Sequence, residues 1–230
     1  SGKCYLSLHT NFSSANRGAC IQNCRKSYIV MDKDDGQEFE VDNEYIMSAK
    51  DLSTIDFLDK VIDAGVAVLK IEGRGRSADY VHVTTQCYRE AIDAIYDGTY
   101  SKEKIENWKE RLSTVFNRGF WDGYYLGRKM GEWSDEAGSK ATKRKVYIGK
   151  GMKYYENAGI GEFLIEAQGC EVCDEFVIIG PTTGVEETVL KEMRVDNQET
   201  FAVKRGTTIT FPVGEKMRPS DKLYKLVPVE

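Results

Sequence analysis

The sequence predicts an α/β segment followed by an all-β domain. Three observations lead there. Helical apolar stripes alternate with short apolar runs over residues 1–126. A basic stretch bearing Gly and Ser over 127–145 has little apolar periodicity and reads as a linker. Short strand-like runs separated by turn signals fill 146–230. The 230 residues hold 41% apolar and 30% charged side chains, 21 Gly and 4 Pro, which excludes collagen-like and disordered chains and supplies one large or two small cores. With 32 Lys+Arg against 37 Asp+Glu the net charge is −5, an acidity that argues against bulk nucleic-acid packaging but leaves room for a local basic strip. No apolar run nears the ~18 residues of a membrane helix and no signal peptide opens the chain, so a cytoplasmic location is expected.

Taken in order, the first strand expected is Glu44–Ser48. Asp51 to Gly65 then places Leu52, Ile55, Leu58, Val61 and Ile62 on one helical face, with Ser53 and Asp56 as a capping box and Gly65 as the left-handed stop. Val66–Glu72, β-branched and apolar, reads as a second strand. A helix from Ser77 to Gly98 aligns Tyr80, Thr84, Cys87, Tyr88, Ala91 and Ile95, and the next, after Ser101, buries Ile105, Trp108, Leu112 and Val115. Strand, helix, strand, helix is the order of two β/α units of a parallel sheet. Beyond the linker, strands are expected at Val146–Gly149, Ile160–Ala167, Glu175–Gly180, Glu186–Val195, Phe201–Lys204, Thr207–Val213 and Lys222–Val227. Seven short strands in 85 residues suggest a small closed β-barrel, which leaves no bare edge.

Side chains alternate along a strand, so Lys70 and Glu72 share a face with Val66 and Val68, opposite Leu69 and Ile71. In a β/α barrel that face is the interior, and chemistry gathers where strands end at the C-terminal mouth. There Lys70 and Glu72 would tune each other's proton affinity. Arg74 and Arg76, on glycine-flanked backbone, would hold a phosphate or carboxylate. Lys70, Glu72 and Arg74 are the expected catalytic group, and Lys50, Asp51 and Arg76 the expected substrate contacts. An ion pair at a barrel rim that satisfies only itself would have the same pattern.

Without a secretory segment the six cysteines are expected as reduced thiols. Cys4, Cys20 and Cys24 lie in a loop rich in Asn, Ser, Gly and Arg, and thiolate-only sets suit an iron–sulfur cluster or structural zinc. Cys87 shares its helix's buried stripe and reads as an inert core thiol. Cys170 and Cys173 have zinc-ribbon spacing but no second pair, and read as coincidence at a strand junction. Two histidines, His9 and His82, give little material for a Ser–His–Asp or multi-histidine site. Lys140, Lys143, Arg144 and Lys145 form either a solvated linker or, with the barrel, a non-catalytic RNA- or protein-docking module.

Several strings together resemble the peptidase U32 family, also called collagenase-like proteases. They are Ser1-Gly-Lys-Cys-Tyr-Leu-Ser7, Asn16-Arg-Gly-Ala-Cys20, Cys24-Arg25, Ile46-Met-Ser-Ala-Lys-Asp-Leu52, Leu69-Lys-Ile-Glu-Gly-Arg74 and Asn117-Arg-Gly-Phe120, in the family's order. Gly180-Pro-Thr-Thr-Gly184 and Met217-Arg-Pro-Ser-Asp-Lys-Leu-Tyr224 resemble the family's C-terminal barrel, itself similar to the second domain of translation elongation factors. The resemblance implies the last β/α units of a TIM-like barrel, incomplete here because such barrels take ~250 residues. A small barrel like translation-factor domain 2 would follow. It also implies that N-terminal barrel units, or another chain, complete the sheet. A 4Fe–4S cluster is implied for the full-length protein, held by Cys4, Cys20, Cys24 and a further cysteine ahead of Ser1. A shorter piece would carry zinc or no metal. Two activities follow from the resemblance: iron–sulfur-supported hydroxylation of tRNA or rRNA bases or of quinone precursors, or peptidase action on collagen-like or other proteins. Loop thiols and a cationic mouth, beside no Ser–His, Cys–His or His/Glu motif, favour the first. The sequence departs from the family at Ala49, where Ser is usual, and at Cys173, where Gly usually precedes Asp174.

Overall fold

The computed structural model describes residues 5–13, 19, 21–41, 50–73, 75–127, 132, 134 and 138–229. The chain divides into two compact units, one of residues 1–65 with 116–140 and the other of residues 66–115 with 141–230. This grouping crosses the expected boundaries at 126 and 146 and puts the two long helices with the sheet. Among the described residues no helix is long and apolar enough to cross a membrane.

The first unit begins with helix α1 (Tyr5–Asn11), a 3-10 turn at Asn23–Arg25 and an antiparallel hairpin of β1 (Tyr28–Met31) and β2 (Glu38–Val41) that pairs Tyr28 with Val41 and Met31 with Glu38. The expected strand Glu44–Ser48 lies outside the described residues. Asp51–Leu52, expected to start a helix, instead forms β3, followed by a 3-10 turn at Ile55–Phe57 and α2 (Leu58–Asp63). Ile55, Phe57 and Leu58 are buried and Leu52 is exposed, since the strand turns Leu52 off the helical face. Thr54 takes the cap position of that 3-10 turn, and its side chain makes no capping hydrogen bond. Gly65 does close the helix at φ +85°, its N–H donating to the Ile62 carbonyl at 2.9 Å. Late in this unit β4 (Phe120–Trp121) runs parallel to β3, the one parallel ladder among the described residues.

In the second unit, Val66–Glu72 is irregular rather than a strand, with Val68 81% exposed. A β-branched run needs a neighbouring ladder to satisfy its backbone, and among the described residues no strand pairs with it. Helix α3 (Ala78–Tyr96) and helix α4 (Lys102–Ser113) follow; the Ser101 side chain caps α4 by accepting the Lys104 N–H at 3.3 Å. The buried face of α3 holds Val83, Thr84, Cys87, Ala91 and Ala94, with Tyr80, Tyr88 and Ile95 half-buried. The expected stripe is thus rotated, because α3 lies against both α4 and a strand of the sheet. Glu90 ties the helices, its carboxylate accepting the Trp108 indole N–H at 2.9 Å and the Arg111 guanidinium at 2.6 Å.

The sheet comprises β5 (Lys143–Tyr155), β6 (Ile160–Ile165), β8 (Glu175–Gly180), β9 (Gly184–Val189), β10 (Met193–Val195), β11 (Gln198–Thr200), β13 (Thr208–Pro212) and β14 (Lys222–Pro228), with β7 (Cys170–Glu171) and β12 (Ala202–Val203) as a separate pair. It is antiparallel throughout, ordered β11-β10-β13-β6-β5-β14-β8-β9. Among the described residues the order ends at β9 and β11, with no ladder between those two strands. Ile148, Phe163, Phe176, Leu190, Met193 and Phe211 belong to one buried apolar core. At Gly149 the strands press together: a Cβ there would lie 2.1 Å from the Leu164 carbonyl oxygen. The expected linker is partly strand. Lys143 and Lys145 sit in β5 and are ion-paired with Glu175 and Asp79. The last of these pairs joins α3 to the sheet.

Candidate functional site

The parallel pair β3 and β4 is built from two of the strings noted above, Lys50-Asp51-Leu52 and Asn117-Arg-Gly-Phe120. Asp51 N–H donates to the Gly119 carbonyl at 2.9 Å and Ser53 N–H to that of Trp121 at 3.0 Å. The ladder delivers Arg118 to Asp51. The Arg118 main-chain N–H donates to one carboxylate oxygen at 3.0 Å, and its guanidinium lies 3.5 Å from the other. Both side chains are largely buried, 13% and 22% exposed. The guanidinium also stands 5.0 Å over the Phe116 ring. Asn117, buried, accepts the Gly119 N–H on its side-chain oxygen at 3.0 Å and so fixes the bend that aims Arg118. Lys50 is engaged twice by Glu132, its N–H donating to the Glu132 carbonyl at 3.1 Å and its ammonium to the carboxylate at 2.8 Å.

Chemically, a carboxylate clamped by an arginine and a main-chain N–H stays ionised and positions its neighbours rather than cycling a proton. Lys50 is the more adaptable group. Its partner is half exposed, and a more strongly held anion could displace it. Sequence reasoning found Lys50 and Asp51 but not their partners Arg118 and Glu132, which lie 67 and 82 residues downstream. The string Asn117-Arg-Gly-Phe120 marks Arg118, and nothing in the sequence pattern marks Glu132.

The other expected site residues fall differently. Lys70 and Glu72 are exposed on the irregular segment, so no strand aligns them on a common inward face. Arg76 stands over the Tyr80 ring at 5.1 Å, and Arg74 lies outside the described residues. These belong to the second unit, Lys50 and Asp51 to the first.

Of the expected metal ligands, Cys4 and Cys20 lie outside the described residues, and Cys24 sits half-buried on the 3-10 turn. That turn is pinned to α1: the buried Asn23 amide donates to Thr10 and to the Asn11 side-chain oxygen, and the Tyr28 hydroxyl donates to the Asn23 carbonyl at 2.5 Å. Among the described residues no three His, Cys, Asp or Glu side chains gather to hold a metal. The remaining thiols divide sharply. Burial pushes Cys87 and Cys170 up to about 11, which keeps both protonated in their cores. Cys173 is exposed and holds a left-handed backbone at φ +77°. Glycine adopts that backbone at the least cost.

The peptidase family U32 profile matches residues 1–135, and the chain belongs to that family. A collagenase of Porphyromonas gingivalis is 56% identical over 225 residues, which cover 98% of this chain and 54% of that protein. The tRNA hydroxylation protein P1 of Bacillus subtilis is 29% identical over 236 residues, covering 98% of this chain and 54% of that protein. A 23S rRNA 5-hydroxycytidine synthase of Escherichia coli is 41% identical over 138 residues, covering 57% of this chain and 21% of that protein. The chain spans about half the length of the first two of these relatives.

Proposed function

We propose that this chain is the C-terminal part of a U32-family enzyme that hydroxylates bases of tRNA or rRNA with the help of an iron–sulfur cluster. The observation that carries the proposal is the sorting of the thiols. Cys24 rests half-buried on a pinned turn, whereas Cys87 and Cys170 are locked in cores as neutral thiols and Cys173 lies exposed in the second unit. Relatives named for tRNA and rRNA hydroxylation match 98% and 57% of the chain. Cys4, Cys20 and Cys24 would hold the cluster with a further ligand from the rest of the protein. When bound, such a cluster supplies one-electron redox chemistry set by its ligands and surroundings. The chain's own residues do the positioning: Asp51 and Arg118 lock the strand ends, and Lys50 exchanges Glu132 for an anionic group of the substrate. The rest of a β/α barrel would come from the remainder of the protein or from another chain.

The complete protein, purified without oxygen, is expected to show visible absorption and to bind iron, and Cys24→Ser to lower the iron content. Cells lacking the gene are expected to lose a hydroxylated base from tRNA or rRNA by mass spectrometry, and re-expression to restore it. An iron-free preparation that restores the base would overturn the cluster assignment. The second reading, a peptidase, is favoured by the 56% identity to a protein named collagenase. It requires pure protein to cleave gelatin, and an unchanged RNA profile in the deletion would support it over hydroxylation.

A further inference from the structure

Beyond β4 the chain enters a tight turn, Gly123-Tyr-Tyr-Leu126, that the expectations from sequence left unassigned. Gly123 adopts φ +63°, and a Cβ there would lie 2.8 Å from the Leu52 side chain, so glycine seats the turn on β3 at the least cost. The Gly127 N–H closes it by donating to the Tyr124 carbonyl at 3.2 Å. Each tyrosine is braced from behind. Tyr124 meets Trp121 edge-on at 5.4 Å, and Tyr125 leans on the buried Phe57 at 6.1 Å. Yet Tyr124 is 61% exposed and Tyr125 63% exposed.

From this geometry we infer that Tyr124 and Tyr125 form a stacking platform for unpaired RNA bases, an inference that rests on the RNA reading above. Two braced rings, each more than half exposed, offer what single-stranded nucleic acid uses most, a π surface that any base can cover. Bracing lowers the entropy lost when a base settles. The tyrosines carry no charge, so the turn itself contributes stacking, while any phosphate attraction falls to Lys50 once it exchanges Glu132. A proline-rich peptide, the other aromatic-seeking ligand, needs a lined groove. Two rings on one tight turn do not by themselves supply one.

The test uses the complete protein and a fluorescein-labelled, mixed-sequence single-stranded RNA of about 12 nucleotides, a length within the usual range of such sites. Anisotropy is expected to show Tyr124→Ala and Tyr125→Ala each weakening binding about 5- to 150-fold, the span of one lost base stack. Tyr124→Phe and Tyr125→Phe keep the affinity. The salt dependence stays that of wild type in all four, because no phosphate contact is removed. As a readout independent of the variants' folding, photo-crosslinking of 4-thiouridine-bearing RNA to wild-type protein places adducts on residues 122–127. Alanine variants that bind like wild type, or crosslinks that all fall elsewhere, overturn the platform while leaving RNA as a substrate. Failure of wild type to bind the probe overturns the RNA reading and this inference together.

Discussion

Replacing Cys173 by glycine tests whether the left-handed backbone at this position is a cost that the fold carries. A non-glycine residue in that region is disfavoured by about 1–2 kcal/mol. Glycine removes the clash but loses about 0.5–1 kcal/mol more chain entropy on folding. Little else changes. The thiol is exposed, the Cys173 N–H still donates to the Leu190 carbonyl at 2.8 Å, and Asp174 still accepts the Glu171 N–H at 2.9 Å. Cys173→Gly is therefore expected to stabilise the second unit by about 0.5–1 kcal/mol, a rise of about 1–4 °C in Tm for a unit of this size. Cys173→Val, which sets a branched side chain against the same backbone, is expected to lower it. Thermal melts followed by circular dichroism under reducing conditions decide the matter. A glycine variant that melts below wild type would refute the reasoning.

Other perturbations probe the core, the thiols and the helix contact. Gly149→Ala drives a methyl into the Leu164 carbonyl and is expected to destabilise by about 3 kcal/mol or more in urea titration. Iodoacetamide at pH 8 is expected to alkylate Cys173 rapidly and Cys87 and Cys170 only after denaturant is added, read by peptide mass spectrometry. Glu90 is held below its ordinary value of 4.5, first by its hydrogen bond to Arg111 and then by that to Trp108. A depressed carboxylate stabilises the fold above its unfolded pKa, and that contribution fades as pH falls through the folded value. Glu90→Gln is thus expected to be less stable than wild type at pH 7, with the gap closing below pH 4.5 in denaturant titrations at each pH.

Local signals were legible wherever one element could satisfy itself. Ser77 and Ser101 bound α3 and α4 because a serine before a periodic apolar run is an N-cap whatever lies beyond. The turn signals likewise placed the ends of β8 at Glu175 and Gly180. Legibility failed where a distant partner decides. The run at Val66 has strand composition, yet no neighbouring ladder forms among the described residues. Asp51–Leu52 has helical composition and becomes a strand because Phe120–Trp121 lies beside it. Glu186–Val195 reads as one strand, but Leu190 folds into the core and splits it in two. At the candidate site the same division holds. Lys50 and Asp51 stand at a strand start that the string marks, whereas Arg118 and Glu132 reach them only through tertiary pairing.

The ion pair between Lys145 and Asp79 bears on how relatives in this family can exchange parts. Asp79 is 8% exposed, so a chimera joined near residue 141 would import a foreign β5 opposite a carboxylate with no guarantee of a cation. Orphaning such a buried charge costs about 3–5 kcal/mol, a large share of a domain's stability. A graft that respects this must move residues 66–115 along with the sheet, which makes the helical pair part of the C-terminal cassette in any recombination, natural or engineered.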